Sequence, residues 1–162
     1  MENILHRKNW DFAPIDISVK ATSLEGVLMA TGRALYSLVF ITSSFWHFNP
    51  AAVTYATNQG LLAASFFVPL SGLLILAGGL SVLLGYHARL GALALAFFLV
   101  PTTLIMHRFW GLDDAYLAAH QQSHFIKNTA LLGASLLICY FGSGPASVDA
   151  ARLRRQKTVK IE

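Results

Sequence analysis

Three of the chain's six histidines fall in one stretch, MHRFWGLDDAYLAAHQQSHFIKN at residues 106–128, together with Arg108, Lys127 and two aspartates. Imidazole titrates near neutral pH, so it can pass a proton, form a hydrogen bond in either sense or ligate a metal. His120, His124, Lys127 and Leu131 are spaced four, three and four residues apart. They share one face of any helix that begins before residue 120. Trp46, Phe109, Trp110 and Phe125 add flat apolar surfaces beside them. A metal centre would draw on His47, His107 and His124 or His120. No carboxylate is committed to such a site, however, and the spacing matches no zinc signature. An isoprenoid quinone head group asks for hydrogen-bond donors at its carbonyl oxygens and flat walls beside its ring, and this stretch offers both. The competing account of any single residue here is plainer. Aromatic and histidine side chains are common where a helix meets lipid headgroups, and Lys127 can snorkel outward.

The elements that must position these groups are hydrophobic. The chain has 162 residues, of which 55% are apolar and only 12% charged, against about 25% charged in a soluble domain. Residues 48–86 carry no formal charge, and about 20 apolar residues cross a bilayer core. The patterning predicts an all-α, integral membrane bundle with spans at about 26–46, 61–84, 90–106 and 124–141. The expected organisation is an N-terminal arm over 1–22, a transmembrane domain over 23–149 and a basic tail over 150–162. No cleaved signal peptide is expected, because the first 25 residues are polar and mixed. SLEG at 23–26 reads as a capped helix start, HFNPAAV at 47–53 as a stop, GYHARLG at 85–91 as a tight turn and FGSGP at 141–145 as the end of the last span. Pro69 and Pro101 lie inside spans and predict kinks. Gly72 and Gly79 share a face, where small residues let membrane helices approach. Cys139 is the only cysteine, which excludes an internal disulfide and a paired-thiol redox centre.

Charge position predicts orientation. Outside the spans, Arg7, Lys8, Lys20, Arg89, Arg152, Arg154, Arg155, Lys157 and Lys160 fall on one side, and Arg108 and Lys127 on the other. Basic residues mark the cytoplasmic side, so both termini are expected there. The basic tail fits topology and anionic lipid, not nucleic acid. Three histidines, His47, His107 and His124, then end or enter three helices at the opposite, periplasmic side.

GRALYSLVF (32–40), LAGGLSVLLGYHARLGAL (76–93), MHRFW (106–110), FIKNTALLGASLL (125–137) and FGSGPASVD (141–149) occur in an order that resembles the DoxX family. That resemblance implies a small four-helix protein of the bacterial inner membrane. It also implies relatives such as the small membrane subunit of thiosulfate:quinone oxidoreductase. It implicates Gly32, Arg33, Gly78, Gly79, Gly85, Arg89, His107, Lys127 and Asn128. Family members often carry a glutamate three residues before the paired glycines, where this chain has Ile75.

The sequence therefore reads as a membrane component of a redox system that binds a quinone-like or other small apolar ligand near the periplasmic helix ends. The ligand-binding candidates are His47, His107, His124, Lys127, Asn128, Arg108 and Trp110. Gly72, Gly78, Gly79 and Gly85 are expected to serve helix packing, and no metal or catalytic residue is assigned. Quinone is the one cofactor in view, since no haem, flavin or iron–sulfur motif is present and the chain alone carries no complete redox cycle. Expected partners are the lipid bilayer, soluble or membrane oxidoreductase subunits and further copies of the chain. Two rival functions are a non-catalytic membrane scaffold and a small-solute transporter, the latter disfavoured by the absence of charge at the middle of any span.

Overall fold

A computed structural model describes residue 18 and residues 20–159. Most of the expected N-terminal arm, with Arg7, Lys8 and Pro14, lies outside the described residues, as does Lys160. The described residues form six helices and no strand. They are α1 Leu24–Trp46, α2 Pro50–Asn58, α3 Ala64–Leu84, α4 Ala88–Met106, α5 Ala115–Phe141 and α6 Val148–Val159. Helices α1, α3, α4 and α5 are long and apolar enough to cross a membrane.

The four long helices pack in chain order, α1 on α3, α3 on α4 and α4 on α5, while α2 rests on α3. Tyr36, Phe40, Ile75, Val82, Ala92, Leu95 and Leu99 form the core between them. Glycine sets the closest approaches. A Cβ added to Gly78 would stand 2.9 Å from the Leu95 side chain, and one added to Gly91 would stand 2.9 Å from the Gly78 carbonyl oxygen. Gly79 fits against Ile41 of α1 in the same way, with 3.0 Å available. Lipid supplies no hydrophobic drive for helix association, so dispersion at such contacts matters more than in water. Large apolar side chains such as Leu28, Leu35, Phe66, Leu73, Leu90, Phe97 and Leu136 are exposed on the perimeter. That inversion of the soluble pattern suits a bundle whose surroundings are acyl chains.

The two ends of the bundle are built differently. At the α6 end, the α5–α6 connection and the first turn of α6 are tied to α1, α3 and α4. Arg33 of α1 donates to the carbonyls of Ser143 and Ala146. The Asp149 carboxylate accepts from the backbone N–H groups of His87, at 3.0 Å, and Ala88, at 3.3 Å. It thereby satisfies donors that the start of α4 leaves open. Gly85 adopts φ 63° at the end of α3, and a Cβ there would come within 2.4 Å of Ser147. The turn at 85–87 requires a small residue on both counts.

The α2 end differs from expectation in one respect. Asn49-Pro50 stops α1, as its sequence predicts, and also starts a new helix. The Asn49 side chain accepts from Ala51 N at 2.9 Å, and Pro50 occupies the first turn of α2. Proline lacks only an N–H that a first turn does not use, so one dipeptide ends a helix and begins another. Residues 148–159 likewise form α6, where a basic tail was expected from 150 onward.

A candidate ligand site at the α2 end

His47 follows the last residue of α1 and turns its ring against α3. Its Nδ1 lies 2.8 Å from Ser71 Oγ and 3.3 Å from the Val68 carbonyl oxygen, and its ring centroid lies 5.7 Å from that of Phe98. Gly72 permits this approach, because a Cβ there would stand 2.7 Å from the Cβ of His47. His107 follows α4 in the same way. Its Nδ1 is 3.0 Å from Gln121 Oε1 on α5. Gln121 Nε2 donates to the Tyr55 hydroxyl of α2 at 3.2 Å, and Tyr55 donates to the Met106 carbonyl at 2.7 Å. Three elements are thus joined through one amide.

His107 and His124 stack, with centroids 5.0 Å apart and planes within 16°. His120 meets His124 edge-on at 4.7 Å, and Lys127 Nζ lies 3.2 Å from His124 Nδ1. Phe109, Trp110 and Phe125 form a triangle with centroids 5.3 to 5.9 Å apart. Burial pushes the His107 imidazole below its ordinary value; the hydrogen bond to Gln121 opposes that shift, while Lys127 and His120 add to it. His107 therefore resists becoming a cation.

A cavity of about 780 Å³ opens between α3 and α4 at this end. Its walls are mainly apolar and include Phe67, Leu70, Leu74, Phe98, Pro101 and Ile105. Its polar lining comes from Trp46, His47, Tyr55, Ser71, Thr102 and His107. The wall residues Phe67, Leu70, Leu73 and Phe97 are also exposed on the perimeter, Phe97 to 74%, so the cavity opens sideways toward the surroundings of the helices.

The candidate residues thus divide into groups. His47 and His107 line one cavity, while His124, His120 and Lys127 extend from His107 toward the surface. Asn128 is buried in α5, Lys127 and Arg108 are exposed, and Trp110 packs on Phe125 while half exposed. The inward face of α5 carries Gln121, Asn128 and Ser135, leaving His120 and Lys127 outside it. Among the described residues, no three histidine, cysteine or carboxylate side chains are grouped to hold a metal ion. Sequence reasoning missed Tyr55, Ser71, Thr102 and Gln121. A signal for Gln121 existed, since Gln121, Asn128 and Ser135 recur every seven residues in a helix that is otherwise apolar toward its C-terminal end. Polar groups at that spacing mark the face of a span that turns inward.

Four apolar helices with an inverted surface, one end tied shut and the other holding a cavity, define an integral, multi-pass membrane bundle. The DoxX family profile matches residues 28–108, half of the chain, and the chain belongs to that family. It is similar to Inner membrane protein YqjF of Escherichia coli (strain K12), with 29% identity over 126 residues, covering 78% of this chain and 92% of the relative. No solved structure matches. Family and likeness make the chain a multi-pass protein of the inner membrane.

Proposed function

We propose that this protein binds a quinone-like amphiphile drawn from the bilayer and acts as a membrane component of a redox system, with both termini cytoplasmic. The cavity between α3 and α4 carries the reading. Its volume of about 780 Å³ falls in the ordinary range for small-molecule sites, which are mostly apolar with a few placed polar groups. A ring can lie against Phe98 and Pro101, while the head group reaches His47 and His107. An isoprenoid tail can leave by the lateral opening. His107, stacked on His124, links the cavity to His120 and Lys127 at the surface. The orientation rests on nine basic residues on one side of the spans against two on the other.

The test is chemical. The chain is purified in mild detergent, and co-purifying lipids and quinones are extracted and identified by mass spectrometry. The Thr102→Trp variant, which fills the cavity, is treated in parallel. The proposal expects a defined amphiphile near one per chain in the wild type and much less in the variant. Equal recovery from both, or none from either, would sink it.

One observation favours a second reading, a membrane scaffold. A Cβ added at Gly133 of α5 or Gly32 of α1 would meet nothing within 4 Å. Small residues on open helix faces suit a partner helix. Affinity capture from membranes with wild type and Gly133→Leu distinguishes this role, since only a scaffold would lose its partner in the variant.

A further inference from the structure

The hydrogen-bond chains behind the two cavity-lining histidines fix which kind of ligand the site accepts. This inference rests on the binding role just proposed. Each chain ends on a backbone carbonyl, and a carbonyl oxygen only accepts. Tyr55 must therefore donate its hydroxyl proton to Met106 O. The Tyr55 oxygen then receives from Gln121, so the amide nitrogen of Gln121 faces Tyr55 and its oxygen faces His107. That oxygen is also acceptor only, and His107 Nδ1 must carry the hydrogen. The same reasoning applies on α3. Ser71 donates to Val68 O at 2.7 Å, so both Ser71 Oγ and Val68 O can only accept from His47 Nδ1. A neutral imidazole has one N–H. With Nδ1 occupied in both rings, each Nε2 is a bare lone pair.

Among the described residues neither Nε2 has a hydrogen-bond partner, and neither is among the fully buried unpartnered polar atoms, which are Arg33 Nε and Ser37 Oγ. Both lone pairs are therefore open to a ligand. The remaining polar lining does not offset them. Ser71 and Tyr55 have committed their protons, Thr102 can serve in either sense, and Trp46 brings a fixed donor only at a half-exposed position.

We infer that the site selects an apolar ligand bearing hydroxyl donors, a hydroquinone in preference to its quinone. A hydroquinone places an O–H on each of two acceptors. A quinone presents carbonyl oxygens to the same lone pairs, leaving both sides unpaired, and sites built around polar contacts discriminate strongly against an analogue that lacks them.

The experiment uses the full chain in lipid nanodiscs without oxygen. Dissociation constants are measured for decylubiquinol, for decylubiquinone and for the dimethyl ether of the quinol, which keeps the shape but has no O–H. Two neutral hydrogen bonds predict that the quinol binds about tenfold or more tightly than either. In a His47→Asn, His107→Asn double variant the amide can still donate to Ser71 and Gln121, but nothing stands at the Nε2 position, so the quinol should fall to the level of the quinone. Quinone or diether binding as tight as the quinol would overturn the inference and leave the binding role standing. A wild-type chain that retains none of the three compounds would overturn both. The wild-type comparison decides the matter even if the double variant does not fold.

Discussion

The Arg33 guanidinium, inside α1, donates to the carbonyl of Ser143, 110 residues further along the chain. It is only 6% exposed, and its second amino group reaches Ala146 O. A charged fork that binds two carbonyls holds the α5–α6 connection against the first span. Arg33→Met should remove both bonds, and hydrogen bonds to charged groups contribute about 1.5–3 kcal/mol each. Lysine cannot reproduce the fork and should restore only part. Thermal unfolding in detergent, with limited proteolysis around residues 142–147, would show it. Unchanged melting in Arg33→Met would mean that the connection is held by other contacts.

Asp149 offers an independent check on the same end. Its carboxylate covers the start of α4, and loss of such a cap costs about 1 kcal/mol. Asp149→Ala should lower the melting temperature, and Asp149→Asn should lie between the variant and the wild type.

Gly91 on one side, and Gly32 and Gly133 on the other, should behave oppositely. At Gly91 an added methyl would stand 2.5 Å from Ser81 Oγ and 2.9 Å from the Gly78 carbonyl oxygen, which is backbone that cannot step aside. Gly91→Ala should therefore separate α3 from α4 and destabilise the bundle by about 1–3 kcal/mol. Gly32→Ala and Gly133→Ala meet open space and should be neutral or stabilising by up to about 1 kcal/mol, the helix preference of alanine over glycine. Unfolding of the three variants in one detergent gives the comparison.

Acid should weaken the α2 end. The folded protein holds His107 below its ordinary value, so between that lowered value and the unfolded value of about 6.5 the unfolded chain binds more protons. Stability therefore falls as pH drops through about 6.5 and levels off below the folded value. The groups around the ring are Gln121, His120, His124 and Lys127 from α5 and Tyr55 from α2, reached through Gln121. Unfolding measured across this window should show a shallower slope in His107→Asn than in the wild type. Equal slopes would assign the acid response elsewhere.

Orientation has a direct assay. Reporter fusions ending at Arg89 and at Glu162 should report cytoplasm, and a fusion at Asp114 the periplasm. A periplasmic C-terminus would reverse the sidedness while leaving the cavity as described.

The spans were legible because length and apolar content are additive properties that need no partner. Ser23 was legible as a helix start for the same local reason, and its side chain accepts from Gly26 N at 3.2 Å. The small helix α2 was not, because Asn49-Pro50 carries a stop signal and a start signal in the same two residues. The cavity was half legible. His47 and His107 stood out as polar residues at helix ends, whereas Ser71, Tyr55 and Gln121, which set their hydrogen-bond sense, looked like unremarkable neutral residues on three separate elements. Their importance comes from distances of about 3 Å between positions 14 to 66 residues apart, and no local pattern encodes those. Ile75, at the position where the resemblance implies a glutamate, is 1% exposed at the centre of the core, and only the fold shows how dry that position is.

If the cavity takes the amphiphile proposed above, its sideways mouth, framed by Phe67, Leu70, Leu73 and Phe97, changes what occupancy means for this protein. A ligand entering there never has to be dissolved in water. Its supply is set by its mole fraction among the lipids, and partitioning concentrates a long-chain amphiphile in the thin bilayer far above its bulk level. Modest intrinsic affinity would then suffice to keep the site filled, and occupancy would follow the composition of the surrounding membrane. On the proposed reading, a cell that changes the size or redox state of its lipid-soluble pool would change the loading of this bundle directly, with no soluble messenger between them.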